Sequence, residues 1–333
     1  MELWYAISTG CLALVYISGI FCCIITIVGR RRTLMYKNSL GYIIMYKSAA
    51  SAMLLTILLF WTIPCCIWHF DIKNMVFNAR VGYAIMFFNT PIYMSNVIIS
   101  ANRLITVANP SKSYLLSKGP IIRVLSIVSV ISLFYSSLFL IEGCSIYFNS
   151  ERLLFVYSNT KCGELLALYG DFAAGVTMFS VCLLMDITSI CYLRHMRNRV
   201  LNTLSTAKRK QRFRMEVVLT VQTFVNTSLY YVMIFSYHFG SELFNVHPMI
   251  TFLSTNFLWC LVIASGGYTA VLICDELRDV ILHPSHLYKG RKNSRQIVAR
   301  TGIARFHYAR FHYPRENVEI QEEQWVVTFA KRI

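Results

Sequence analysis

The sequence predicts an all-α membrane protein, a bundle of seven transmembrane helices, and three observations carry that prediction. Its 333 residues are 56% hydrophobic and only 14% charged, more apolar surface than one water-soluble core can hide. The apolar residues fall into blocks of about 20, long enough to cross a roughly 30 Å hydrocarbon layer as a helix. Basic residues alternate between successive connections in the phase that seven crossings demand.

The blocks run approximately over residues 5–28, 40–68, 81–107, 121–141, 165–193, 216–237 and 249–273. The first reads as a spanning helix rather than a cleaved leader. Glu2 stands where a leader is basic, the apolar stretch is too long, and the basic run GRRR follows at 29–32. With the helix ends that face them, the connections after helices 1, 3 and 5 and the tail hold 4, 4, 8 and 11 Lys or Arg, 27 of the chain's 32. Those after helices 2, 4 and 6 hold 2, 2 and 0. Basic residues are retained on the cytoplasmic side, so the N-terminus is expected outside and the C-terminus inside.

The net charge of +16 is therefore a topology signal. Anionic inner-leaflet lipids are the expected partner, at about 1 kcal/mol per basic residue near the surface, and nucleic acid is not. Helix 3 carries the most informative pattern. Asn89, Tyr93, Asn96, Ser100 and Arg103 recur at steps of four and three, so they share one arc of the helix. Amides facing lipid would be left unpaired, which turns this stripe toward the bundle interior. Its plainer reading is interhelical glue ending in an arginine that reaches lipid phosphate.

The triplet Asn102-Arg103-Leu104, with Pro110 seven residues beyond the arginine, resembles the aspartate-arginine-tyrosine signature of rhodopsin-like G-protein-coupled receptors. TKCGELLALYGDF at 160–172, TNFLWCLV at 255–262, DELRD at 275–279 and the Gly143-Cys144 pair resemble the nematode serpentine chemoreceptors of class X (Srx). The resemblance covers about residues 20–282. It implies a chemosensory receptor that takes a small-molecule ligand from outside and activates a heterotrimeric G protein, with Asn102, Arg103, Leu104 and Pro110 at the coupling end. It also implies a multi-pass protein of the plasma membrane, in a sensory neuron or cilium.

Several positions depart from the wider superfamily. Asn102 replaces the acidic neighbour of the arginine, so the resting-state lock is expected to be weaker or located elsewhere. Ser51 stands roughly where helix 2 usually carries an acid, which disfavours a sodium pocket. ASGGYTA at 264–270 replaces the helix 7 asparagine-proline-tyrosine pattern, with Tyr268 left to do part of its work.

Four of the eleven cysteines, Cys65, Cys66, Cys144 and Cys162, are expected on the outer side. The segment between Cys144 and Cys162 alternates apolar and polar residues on either side of NSER, which reads as a hairpin closed by a disulfide. The rival joins Cys162 to Cys65 or Cys66, and four cysteines allow three complete pairings.

Asp171, in LYGDF early in helix 5, is expected to reach the outer cavity and meet a ligand cation or hydrogen-bond donor. The ligand set read from the sequence is Asn89, Tyr93, Asn96 and Asp171. Asp186 reads as structural, and Lys47 is expected to snorkel toward the cytoplasmic surface. The basic connection between helices 5 and 6, including Arg209 and Arg212, supplies a floor for a G protein. Asp275 can cap a short amphipathic helix 8 ending before Pro284. Residues 1–282 then form the receptor bundle, and 283–333, with the repeat ARFHYARFHY, form a basic cytoplasmic tail expected to be disordered.

Catalysis finds no support. Paired-histidine spacing, a GxSxG elbow and a Walker loop are all missing from the sequence, and His69, His238 and His247 read as scattered over outer loops. No cofactor or metal is expected. A seven-helix ligand-gated channel or a small-molecule transporter remains the alternative, although a channel of the insect type would place its N-terminus inside.

Overall fold

The computed structural model describes residues 3–29, 39–68, 75–108, 117–201, 207–243 and 248–273. Seven helical segments follow in order: α1 (Leu3–Gly29), α2 (Ser39–Trp68), α3 (Met75–Ala108), α4 (Lys118–Ser137), α5, α6 (Ala207–Leu243) and α7. A 3₁₀ turn, Leu138–Leu140, extends α4. Segment α5 joins helical Lys161–Leu165 and Ala174–Leu201 through a π-helical stretch, Leu166–Ala173. Segment α7 joins Pro248–Phe252 and Leu258–Ile273 through a second, Leu253–Phe257.

All of these except α6 are long and apolar enough to cross a membrane. Helix α6 is diluted by Gln222, Thr223, Asn226, Thr227 and Ser228. Of these, Asn226 and Thr227 are buried, so its polarity faces protein rather than lipid. Helices α3 and α6 begin six and nine residues before their apolar blocks; in α6 the added residues are a polar, basic turn that carries no hydropathy signal, and in α3 they are a short apolar start interrupted by Asn78 and Arg80. Pro110 and residues 275–282 of the expected helix 8 lie outside the described residues, as do the tail repeat and His69 and His247. Arg209 and Arg212 lie on the described backbone of α6, and their side chains are outside the description.

Between α4 and α5 the expected hairpin is present. Strands β1 (Ile146–Asn149) and β2 (Leu154–Tyr157) pair antiparallel with Ile146 opposite Tyr157. The Asn149 side chain accepts from the Arg152 amide at 3.0 Å, and Leu153 turns the chain back with φ at 53° and its side chain fully buried. A disulfide joins Cys144 and Cys162, while Cys65 and Cys66 remain buried thiols. Of the pairings open to the sequence, the hairpin-closing one is therefore formed. Replacing both cysteines with Ser is expected to cost about 3 kcal/mol by freeing an 18-residue loop in the unfolded chain. Thermal unfolding of the purified double variant, against wild type with and without reductant, measures that loss.

The hairpin is tied down by side chains from four helices. Asn78 of α3 donates Nδ2 to the Phe148 carbonyl at 2.7 Å and accepts from the Phe148 amide at 3.0 Å. Its oxygen also takes the Trp61 indole N–H at 3.0 Å. Tyr5 of α1 lies 3.1 Å from the Ser150 carbonyl, Tyr237 of α6 donates to that of Phe155 at 2.6 Å, and Asn256 of α7 donates to that of Leu153 at 2.7 Å. Gly82 lets α3 approach still closer, since a Cβ there would overlap the Ile146 carbonyl. Phe148 and Phe155, both buried, seat the hairpin in the apolar core at this end of the bundle.

Candidate functional site

All five residues of the α3 stripe are buried: Asn89, Tyr93, Asn96, Ser100 and Arg103 are each 6% exposed or less. The spacing rule thus selects the inward face correctly. The stripe divides between two cavities. Asn89 and Tyr93 line one near the hairpin, and Asn96, Ser100 and Arg103 line another toward the opposite end.

The hairpin-end cavity is small and partly open in this packing, with about 20 Å³ of free volume. Its floor and sides come from α3, α5, α6 and α7, and Ile146, Phe155 and Tyr157 of the hairpin roof it. Asp171 is its one charged residue among the lining side chains. The π-helical stretch holds that carboxylate, a backbone form often found where a helix must re-aim a functional side chain. Tyr157 donates to Asp171 Oδ2 at 2.9 Å, and His238 Nε2 lies 3.3 Å from the same oxygen. Burial first, and then the Asp171 charge, push the Tyr157 phenol well above its ordinary value, so it remains a donor. Asn89 contributes an amide oxygen that has no hydrogen-bond partner among the described residues.

Three of these groups escaped the sequence. His238 was expected on a loop, yet it sits in α6 against Asp171. Tyr157 gave only an alternating strand pattern. Trp259, inside the TNFLWCLV stretch, packs edge-on against Phe155 at 5.8 Å and also lines the cavity.

Below Tyr93, three rings join α3, α5 and α6. Tyr93 meets Phe179 and Tyr230 edge-on at 5.3 and 5.8 Å, while Phe179 and Tyr230 stack at 5.1 Å. Tyr230 is in turn covered by the Lys47 ammonium, 5.4 Å from its ring centre. The aromatic group therefore separates the two cavities and touches residues of both.

The second cavity has about 50 Å³ of free volume and is lined by polar groups of α2, α3, α6 and α7. Lys47 does not snorkel as expected: it is 5% exposed and donates to Asn96 Oδ1 at 2.7 Å. The buried amide offers a nearer partner than the membrane surface. Asn96, grouped by the sequence with the ligand set, accordingly lies in this cavity rather than the hairpin-end one. Ser51 lines the same wall. Tyr268 instead turns to α1, where its hydroxyl lies 2.7 Å from Ser18 Oγ.

Asn102 and Arg103 are buried, whereas Leu104 is half-exposed. A buried carboxylate on a neighbouring helix lies within electrostatic reach of Arg103. Asp186 of α5, fully buried, acts electrostatically on Arg103 and accepts from Thr227 of α6 at 2.9 Å. That carboxylate thus bonds α5 to α6 and bears electrostatically on α3 at the end remote from the hairpin. Among the described residues no group of three His, Cys, Asp or Glu is placed to hold a metal.

Two comparisons with known proteins bear on this arrangement. The model of the family described as serpentine type 7TM GPCR chemoreceptor Srx matches residues 14–273. The chain is also 24% identical over 274 residues to serpentine receptor class X 45 of Caenorhabditis elegans, covering 76% of this chain and 74% of that protein.

Proposed function

We propose that this chain, which belongs to the Srx family of serpentine seven-transmembrane chemoreceptors, binds a small molecule in the hairpin-end cavity and activates a heterotrimeric G protein at the opposite end. The observation that carries the reading is the buried face of α3, which forms a wall of both cavities and ends at Arg103. The hairpin end then faces outside, in keeping with the distribution of Lys and Arg. The membrane is the plasma membrane of a sensory cell.

In this mechanism a ligand enters beneath the hairpin and meets Asn89, Tyr93 and Asp171. It displaces the Tyr93 ring, and the stacked Phe179 and Tyr230 carry that displacement to Lys47, Asn96 and Asp186. The ligand favours whichever packing it binds better, so signalling is a shift between two arrangements of one bundle. In the active arrangement Arg103 leaves Asp186 and, with Asn102, Leu104 and the region of Pro110, receives the G protein. Arg209 and Arg212 add positive charge to that docking face and to its contact with anionic lipid.

Replacing Arg103 with Ala is expected to abolish most ligand-evoked signalling, a drop of at least about tenfold if one buried charge-assisted contact is lost. Surface expression and ligand binding should stay within about twofold. The measurement is a cyclic-nucleotide or calcium response in cells with surface receptor quantified in parallel, and an unchanged response rejects the coupling role. An amino-terminal tag reachable only from the cytoplasm would reject the orientation.

A further inference from the structure

Lys47 is the least explained charge in the bundle. It sits within α2, is almost wholly buried, and meets one amide oxygen at 2.7 Å and one ring face at 5.4 Å. Among the described residues it forms no ion pair. An ammonium inside a membrane protein is heavily penalised unless another charge neutralises it. An amide and an aromatic face lessen that penalty without cancelling it. The other cation of this region, Arg103, has the charge of Asp186 nearby, so Asp186 does not serve both.

The wall around Lys47 is rich in unused hydrogen-bonding capacity. Asn96 Nδ2 and Ser51 Oγ have no hydrogen-bond partner among the described residues, although both side chains are buried and line the same cavity. The Tyr230 hydroxyl lies beside Asn96 without a hydrogen bond of good geometry. Ser51 is one turn after Lys47 and therefore on the same face of α2. The lysine also packs against α7. Gly266 of α7 faces it closely: a Cβ added there would stand in ordinary contact, 3.4 Å from Lys47 Cε and 3.5 Å from Nζ. No Asp or Glu is among the residues that line the cavity.

We propose that this cavity binds a small inorganic anion of the size and charge of chloride, held by Lys47 Nζ, Asn96 Nδ2 and Ser51 Oγ. The ammonium supplies the charge, and the amide and hydroxyl supply donors that the protein leaves unpaired. A spherical halide suits such a site because it imposes no directional demand on donors arriving from two helices. The anion links α2 to α3 against α7 directly beneath the Tyr93, Phe179 and Tyr230 rings, so its occupancy stabilises the packing described above. This inference needs neither the sensory ligand nor the G protein.

Thermal unfolding of the full-length protein in neutral-lipid nanodiscs tests it, with sodium chloride titrated against sodium gluconate at constant ionic strength. Wild type should gain a saturable rise in midpoint on the order of 3 °C or more. Lys47→Met should lose that response. Asn96→Asp, which hands Lys47 an internal carboxylate in a side chain of the same shape, should fold and also cease to respond. If Lys47→Met does not fold, Asn96→Asp decides alone. A wild-type midpoint indifferent to chloride overturns the proposal, because the lysine is then carried neutral or solvated. An equal response in wild type and Asn96→Asp overturns it as well, because chloride is then acting elsewhere.

Discussion

Asp171→Asn is expected to reduce agonist potency at least about tenfold, or roughly 1.4 kcal/mol, while leaving the amount of receptor at the surface unchanged. The substitution keeps the shape of the side chain and removes its charge. Asp171 is the one charged residue lining the hairpin-end cavity. Both of its contacts, Tyr157 at 2.9 Å and His238 at 3.3 Å, converge on Oδ2. The geometry therefore leaves Oδ1 for a donor or cation on the ligand. Tyr157→Phe should have a smaller effect, about 0.5–1.5 kcal/mol, because it removes one supporting hydrogen bond and spares the charge. Concentration-response curves for an agonist found by ligand screening in reporter cells provide the measurement. Equal potencies for wild type and Asp171→Asn would remove the carboxylate from the ligand site.

The second large effect is expected from the smallest change, Gly82→Ala. A methyl group at this position would overlap the Ile146 carbonyl carbon and oxygen, and backbone cannot rotate away as a side-chain end can. Either α3 or the hairpin must shift, a strain of about 1–3 kcal/mol. Because Ile146 belongs to the cavity wall, the variant should lose ligand potency as well as thermal stability. Gly10→Ala is the matched control, since no atom lies within 4 Å of its added methyl group. Midpoints measured on the two purified variants should differ by several degrees, and equal midpoints would show that the hairpin is loosely seated.

The sequence made the inward face of α3 legible because a helix repeats every 3.6 residues and polar side chains avoid lipid. Asn89 through Arg103 therefore appear as a stripe before any coordinate is known. The hairpin was legible for a similar reason, its strand alternation being bracketed by two cysteines. What periodicity cannot show is which residue of another helix meets that stripe. Asp171 and His238 are 67 positions apart, and nothing local in either segment announces the other. Lys47 departs from the snorkelling expectation because its partner, Asn96, lies on a different helix and 49 positions along the chain. Asn102 marks the absence of an acid beside Arg103, while a carboxylate that bears on that arginine, Asp186, becomes visible only when α5 packs against α3.

The fastening of the hairpin to α1, α3, α6 and α7 also concerns time. If a bound molecule can leave only when several of those ties part together, its dwell time is governed by the roof as much as by its own contacts. Pulses of ligand shorter than that dwell would then be summed rather than resolved. Loosening a single tie, such as the Tyr237 hydroxyl on the Phe155 carbonyl, would shorten the interval over which the cell averages its surroundings.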